Sequence, residues 1–290
     1  MTRIAYVNGA YSSVLTPAIR IEDRGYQFAD GVYEVLKVSG GGVRHIDRHL
    51  DRLGRSLAAL GMRWPMGRGP LTQVVRRTVA LNSLRDALVY IQVTRGVAAR
   101  NHLFDANLKP SLVVTVRSLK LPSARERDEG VKVVTMPDER WTHCHIKSIS
   151  LLPNSLARQR AADEGAREAW LVDRDGFVTE GSSSNAYIVD EEGRLVTRPL
   201  GQEILGGITR SLLLEAAEAE GIEFVERGFT VAEAQAAREA FLTSTSAGVL
   251  PVSTVDDRVI ANGRPGSITR RLTDRLQRLE LASDDGIAVR

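Results

Sequence analysis

The 290-residue sequence is poor in primary amines. Only Lys37, Lys109, Lys120, Lys132 and Lys147 are lysines, so 34 of the 39 Lys and Arg residues are arginine. Any chemistry that needs a side-chain amine therefore has five candidates. Cysteine is scarcer still, and Cys144 alone excludes an internal disulfide framework or a cysteine-only metal site. No apolar run approaches the roughly 18 residues that span a bilayer. The segment Met1 to Tyr6 lacks the apolar core of a signal peptide. A soluble protein of the cytoplasm, with no membrane partner, is expected. Neither a dinucleotide-binding glycine fingerprint nor a P-loop occurs. Long runs of Lys and Arg are also missing, and 36 acidic residues are spread through the chain. The net charge of +3 thus does not point to nucleic acid.

The sequence does contain hydrophobic patterning for a substantial core, with 43% apolar residues. Asn8-Gly9 between two short apolar stretches predicts a β-hairpin. Val32 to Val38 is rich in β-branched and aromatic residues and predicts a strand. Ile46, Leu50, Leu53, Leu57 and Leu60 recur with helical spacing until Gly61. Leu71 to Leu81 predicts a second helix, and Leu88 to Thr94 and Leu112 to Val116 predict strands. The stretch around Lys120-Leu121-Pro122 has neither period. It sets an expected small α+β domain over 1–117, a linker over 118–124 and a large α+β domain over 125–290. In the latter, Val131 to Thr135, His145 to Ser148, Ala169 to Val172, Ala186 to Val189 and Phe241 to Thr243 predict strands. Ser155 to Glu164, Ile208 to Ala219 and the stretch carrying Ile268, Leu272, Leu276 and Leu279 predict helices. No regular βαβ alternation is present, which favours two α+β domains over a doubly wound sheet.

A nucleophilic lysine must be partly desolvated so that its amine can be neutral. Lys109 and Lys120 sit in loop-like sequence, and Lys37 and Lys132 in alternating strands that can point outward. Lys147 has apolar neighbours and no adjacent charge, so it stands out, with an outward lysine on an edge strand as the alternative. Gly206-Gly207-Ile208-Thr209-Arg210 opens a helix, where backbone N–H groups and the Thr209 hydroxyl suit a phosphate. Thr243 to Gly248 and Thr179 to Asn185 are two more hydroxyl-rich turns. Together they fit one small phosphorylated ligand, although each alone reads more readily as a plain loop. Arg52 flanks the first amphipathic helix and can reach inward to an anion, although on its own a solvated arginine on a helix face is the better reading. Arg100-Asn101-His102 can converge on a carboxylate or form an ordinary polar loop. His143-Cys144-His145 lacks a fourth ligand, so no metal is expected.

On these residues the sequence resembles the fold-type IV pyridoxal-phosphate enzymes, and within them the D-amino-acid aminotransferases. The densest stretches are Glu22 to Val35, His49 to Leu53, Gln92 to Gly96, Ile146 to Ser148, Val178 to Asn185, Ile204 to Arg210 and Thr243 to Ser246. The resemblance implies pyridoxal 5'-phosphate as cofactor, with Lys147 as the Schiff-base lysine. It places Arg52, Ile208, Thr209 and Thr245 at the phosphate, Glu180 at the pyridine nitrogen and Leu205 against the ring. It makes Tyr33, Arg100 and His102 the trap for the substrate carboxylate, the loop residues coming from the other subunit of a homodimer. The implied reaction is transamination between a D-amino acid of the D-alanine type and a 2-oxo acid such as 2-oxoglutarate. Branched-chain L-amino-acid aminotransferases, aminodeoxychorismate lyases and (R)-amine transaminases share the cofactor motifs and are the alternatives. Two departures stand near the site: His145 where the family member compared has an acid, and Gly206 where it has a lysine.

Overall fold

The computed structural model describes residues 3–16 and 19–282. They form two compact α+β units. The first comprises the residues up to Lys120 together with Ile146–Ser150, and the second comprises Leu121–His145 with Leu151–Ala282.

The first unit contains β1 (Ile4–Val7), β2 (Ala10–Ser13), α1 (Arg24–Phe28), β3 (Gly31–Ser39), β4 (Gly42–Val43), α2 (Ile46–Ala59), α3 (Arg68–Asn82), β5 (Ala87–Thr94) and β6 (Ser111–Ser118). Its described strands form a six-stranded sheet in the order β2-β1-β6-β5-β3-β4. The Asn8-Gly9 turn joins β1 and β2 with both residues at positive φ, 47° and 108°, which this residue pair accommodates. In β3 the even positions Val32, Glu34, Leu36 and Val38 are all buried. They meet the stripe Ile46, Leu50, Leu53 and Leu57 of α2 in one core. Burying each of these leucines stabilises the unit by about 1.5–3 kcal/mol.

The second unit contains α4 (Ala124–Glu129), β7 (Val131–Pro137), α5 (Leu152–Asp163), β8 (Glu168–Val172), β9 (Val178–Gly181), β10 (Asn185–Val189), β11 (Leu195–Thr197), α6 (Ile208–Ala219), β12 (Phe224–Glu226), α7 (Val231–Ala236), β13 (Glu239–Ser244), β14 (Gly248–Val255), β15 (Arg258–Val259) and α8 (Ser267–Ala282). Its sheet runs β12-β11-β10-β13-β14-β7-β8-β9, with β15 paired to β14. One core lies around Trp170, Phe229 and Leu250, and another forms where α6 and α8 cover Tyr187 and Phe241.

Two expectations are corrected. His145 to Ser148 is not a strand: only Ser148 makes a bridge, to Val32. The segment is an irregular strip laid along the edge of β3, where the Tyr33 N–H donates to the Lys147 carbonyl (3.0 Å) and the Ile149 N–H to the Gly31 carbonyl (3.1 Å). For the same reason residues 125–290 are not one unbroken unit. Ile146 packs in the first core, and Lys147 travels with the first unit. Among the described residues, no helix is long and apolar enough to cross a membrane.

Candidate active site

Strand alternation puts Tyr33 and Glu34 on opposite faces of β3. Glu34 is fully buried among apolar side chains, and an isolated carboxylate there would be costly. It is not isolated. Arg52 donates from Nε to Oε1 (2.7 Å) and from Nη2 to Oε2 (2.8 Å). His49 Nδ1 lies 2.7 Å from Oε2. His49 and Arg52 are three apart on α2, so both reach the same group. Burial pushes the Glu34 carboxyl up, but the Arg52 charge and the bonds from Arg52 and His49 outweigh it and hold it at about 2. Burial also pushes His49 below its ordinary value, against the bond to Glu34. A neutral imidazole donating Nδ1–H to Glu34 satisfies both groups. Arg52, expected at the phosphate, therefore meets any anion already half neutralised.

Lys147 is fixed through its backbone. Its N–H donates to the buried Ser56 Oγ (3.2 Å), and its carbonyl accepts from Tyr33. Its Nζ stands 4.3 Å from the centre of the Tyr33 ring. The lysine is half-buried, whereas Lys109 and Lys120 are exposed. Arg100 and His102 are both exposed, in the loop between β5 and β6. The Arg100 guanidinium lies 4.8 Å from the Phe28 ring, and the His102 ring lies 5.4 Å from it. The three expected carboxylate contacts thus fall into two groups, Tyr33 beside Lys147 and Arg100 with His102 at Phe28.

In the second unit, Glu180 stands on β9 and is buried. Its carboxylate accepts from Arg140 Nη1, from Asn185 Nδ2 (3.0 Å) and from the Leu205 N–H (3.0 Å). Arg140 is itself held by Asp138 through two bonds, Nε to Oδ1 (2.9 Å) and Nη2 to Oδ2 (2.7 Å). Burial works against the Arg140 charge, but the Asp138 bonds and the Glu180 and Asp138 charges push its pKa up. Burial likewise raises Asp138, and the bonds and charge of Arg140 bring it below the usual carboxylate range. Asn185 Nδ2 also donates to the Leu205 carbonyl (3.0 Å).

Ile208 and Thr209 begin α6, whose N-cap Gly207 offers no capping side chain. The first-turn N–H groups are left for an anion. Thr245 sits half-buried in the turn between β13 and β14, where Ser244 and Ser246 hydroxyls lie 3.3 Å apart. The third hydroxyl-rich turn is different from expectation. Ser182, Ser183 and Ser184 all donate to the buried Glu168, with Ser183 at 2.9 Å and Ser184 at 3.2 Å. In that turn the three serine hydroxyls are taken up by a core carboxylate.

Glu34, His49, Asp138, Arg140 and Asn185 were not singled out from the sequence. For Glu34 a signal existed: an acid at core parity in an apolar strand needs a basic partner. Arg140 lies in irregular sequence whose partners are distant along the chain, and no periodicity marks it. Each unit offers groups of a kind that a phosphorylated pyridine aldehyde uses: in the second, the α6 N-terminus and the turn hydroxyls suit a dianion and Glu180 is a buried carboxylate, and in the first Lys147 is a half-buried amine.

The sequence profile of the family described as Amino-transferase class IV matches residues 31–255. The chain is 40% identical over 260 residues to a D-alanine aminotransferase of Bacillus licheniformis, covering 90% of this chain and 91% of that one. It is 37% identical to the D-alanine aminotransferase of a Staphylococcus epidermidis strain, covering 94% and 95%. Among solved structures, a branched-chain amino acid aminotransferase of Escherichia coli superposes with a TM-score of 0.89 at 21% identity, covering 98% of this chain and 97% of that one. A hypothetical aminotransferase from Mycobacterium tuberculosis in its PLP-bound form gives 0.82 at 23% identity, with coverage of 96% and 99%. The fold and the family profile agree over most of the length, and the chain belongs to the class IV aminotransferases.

Proposed function

We propose that this protein transfers an amino group between a D-amino acid, of which D-alanine is the type, and a 2-oxo acid such as 2-oxoglutarate. It would act with pyridoxal 5'-phosphate, as a cytoplasmic homodimer. The observation that carries the reading is Lys147, half-buried, with its Nζ 4.3 Å from the centre of the Tyr33 ring. Relatives named D-alanine aminotransferase, 40% and 37% identical over nine-tenths or more of the chain, support the substrate class. The likeness to the branched-chain enzyme, at 21% identity, concerns the fold alone.

In this reading Ile208, Thr209, Thr245 and Arg52 would hold the phosphate, Leu205 would pack on the ring and Glu180 would accept from the protonated ring nitrogen. When bound, the cofactor supplies an electron sink that acidifies the Cα–H bond of the amino acid. Lys147 Nζ, once free, takes the proton from substrate Cα. Arg140 and Asn185 keep the Glu180 carboxylate ionised and in one orientation, as an acceptor. Tyr33, Arg100 and His102 fix the substrate carboxylate, which decides which hydrogen meets Lys147 and hence the D preference.

Purified protein is assayed with D-alanine and 2-oxoglutarate, then with L-leucine and 2-oxoglutarate. Turnover of the D-substrate alone is expected, and turnover of L-leucine alone would overturn the proposal. Lys147→Ala is expected to retain weak cofactor binding but lose steady-state transamination. Normal turnover by that variant removes Lys147 from the chemistry.

A further inference from the structure

The loop that carries Arg100 and His102 is gripped by a second arginine. α1 begins at Asp23, whose side chain accepts from the Gly25 N–H (2.8 Å). This turn sets Arg24 and Phe28 four residues apart on one helical face. Arg24 is buried, at 3% exposure. Its Nε donates to Asp30 Oδ2 (2.8 Å), which also accepts from Arg95 Nε (2.7 Å). Nη1 donates to the Asn101 carbonyl (2.6 Å) and, at greater length, to that of Leu103 (3.5 Å). Nη2 reaches the His102 carbonyl (3.4 Å). One guanidinium therefore addresses three successive carbonyls of the loop.

The side chains converge as well. The Phe28 ring has the Arg24 guanidinium at 4.7 Å, that of Arg100 at 4.8 Å and the His102 ring at 5.4 Å. Phe104 closes the loop against Arg95 at 3.7 Å. The root of the loop is zipped to the same segment, with the Arg24 N–H donating to the Gly96 carbonyl (2.9 Å) and the Ala98 N–H to that of Glu22 (3.2 Å). Gly96 is required there: its φ is +111°, and a Cβ would fall 2.1 Å from the Lys109 carbonyl oxygen.

We infer that Arg24 and Phe28 are positioning residues for carboxylate recognition. Arg24 fixes the backbone of 101–103, and Phe28 is the ring surface on which Arg100 and His102 rest, so their direction is set before substrate arrives. The inference rests on the proposed carboxylate role of Arg100 and His102. A lysine cannot replace Arg24, because one ammonium cannot span Asp30 and three carbonyls as a planar fork does.

The test compares holoenzymes carrying Arg24→Lys, Phe28→Leu and Arg100→Met with the unsubstituted protein. Arg24→Lys and Phe28→Leu are expected to raise KM for D-alanine about tenfold while kcat stays within about threefold. Cofactor Kd, read by fluorescence titration, is expected to stay unchanged in both, and Tm to fall in Arg24→Lys, which loses buried bonds, without loss of cofactor binding. If Arg100→Met raises KM and the other two do not, the positioning role falls and the carboxylate reading stands. If Arg100→Met itself leaves KM unchanged, both fall. A joint loss of kcat, cofactor binding and Tm in both Arg24→Lys and Phe28→Leu would also overturn the inference, since it marks a general folding role.

Discussion

Glu34 shows how much one buried charge can organise. It is fully enclosed, accepts three bonds from Arg52 and His49, and is held at about 2. Removing one partner of such a group leaves the other uncompensated, so Glu34→Gln is expected to cost about 3 kcal/mol. The sign of the pH dependence follows from the lowered carboxyl. A group near 4.5 when unfolded and near 2 when folded contributes fully above 4.5, and the contribution fades as pH falls towards 2. The Tm gap between the two proteins should narrow from neutral pH down to about 3. A constant gap would mean that Glu34 is not ionised in the fold. At this scale the sequence marks Lys147 and Arg52 as candidates by residue type and position, and Tyr33 by resemblance. The carboxylates that organise them are not marked, because an acid's partner is fixed by tertiary packing. Glu34 finds Arg52 eighteen residues away, and Glu180 finds Arg140 forty residues away.

At the level of elements, periodicity was a reliable guide where one face meets a core. α2 and α6 occupy Ile46–Ala59 and Ile208–Ala219, close to the spans expected from their apolar stripes. β14 escaped notice because Pro251 interrupts it, and a proline argues against a central strand. The structure accommodates it next to a register shift between Val252 and Thr254 in the pairing with β7. The Lys147 segment was misread as a strand because its alternation of apolar and polar residues is real but only one bridge forms. The approach of β10 to α6 is a tight one. A Cβ on Gly207 would fall 2.2 Å from Asn185 Oδ1, and Asn185 is tied to both Glu180 and Leu205. Gly207→Ala is therefore expected to displace Asn185 and weaken cofactor binding about tenfold, the equivalent of one or two hydrogen bonds. Titration of the apo-protein with pyridoxal 5'-phosphate measures this, with helix content by circular dichroism as the control. An unchanged Kd would show that Asn185 has no part in holding Glu180.

For the whole molecule, the α+β class was legible from mixed patterning, but the path of the chain was not. Leu121–His145 builds the second unit before Ile146–Ser150 returns to the first. No local signal announces a return of five residues. The exposed apolar side chains Ile21, Tyr26 and Leu103 of the first unit suit burial by a second copy. If the site is shared between subunits, Lys147→Ala and Arg100→Met lie in different chains of each active centre. Co-expression of the two variants should then restore about a quarter of normal activity at low D-alanine, through mixed dimers that keep one intact site. No recovery above the separate variants would place both residues in the same chain's site.

The strip that bears Lys147 has another consequence. It occupies the edge of β3 over Gly31–Tyr33, where backbone N–H and C=O groups would otherwise be bare. A bare edge is a template for pairing with other chains. On the ribosome, the first 120 residues emerge with that edge open, and it closes only after Leu121–His145 has been made. The segment that carries Lys147 is thus also the one that covers this stretch of strand edge.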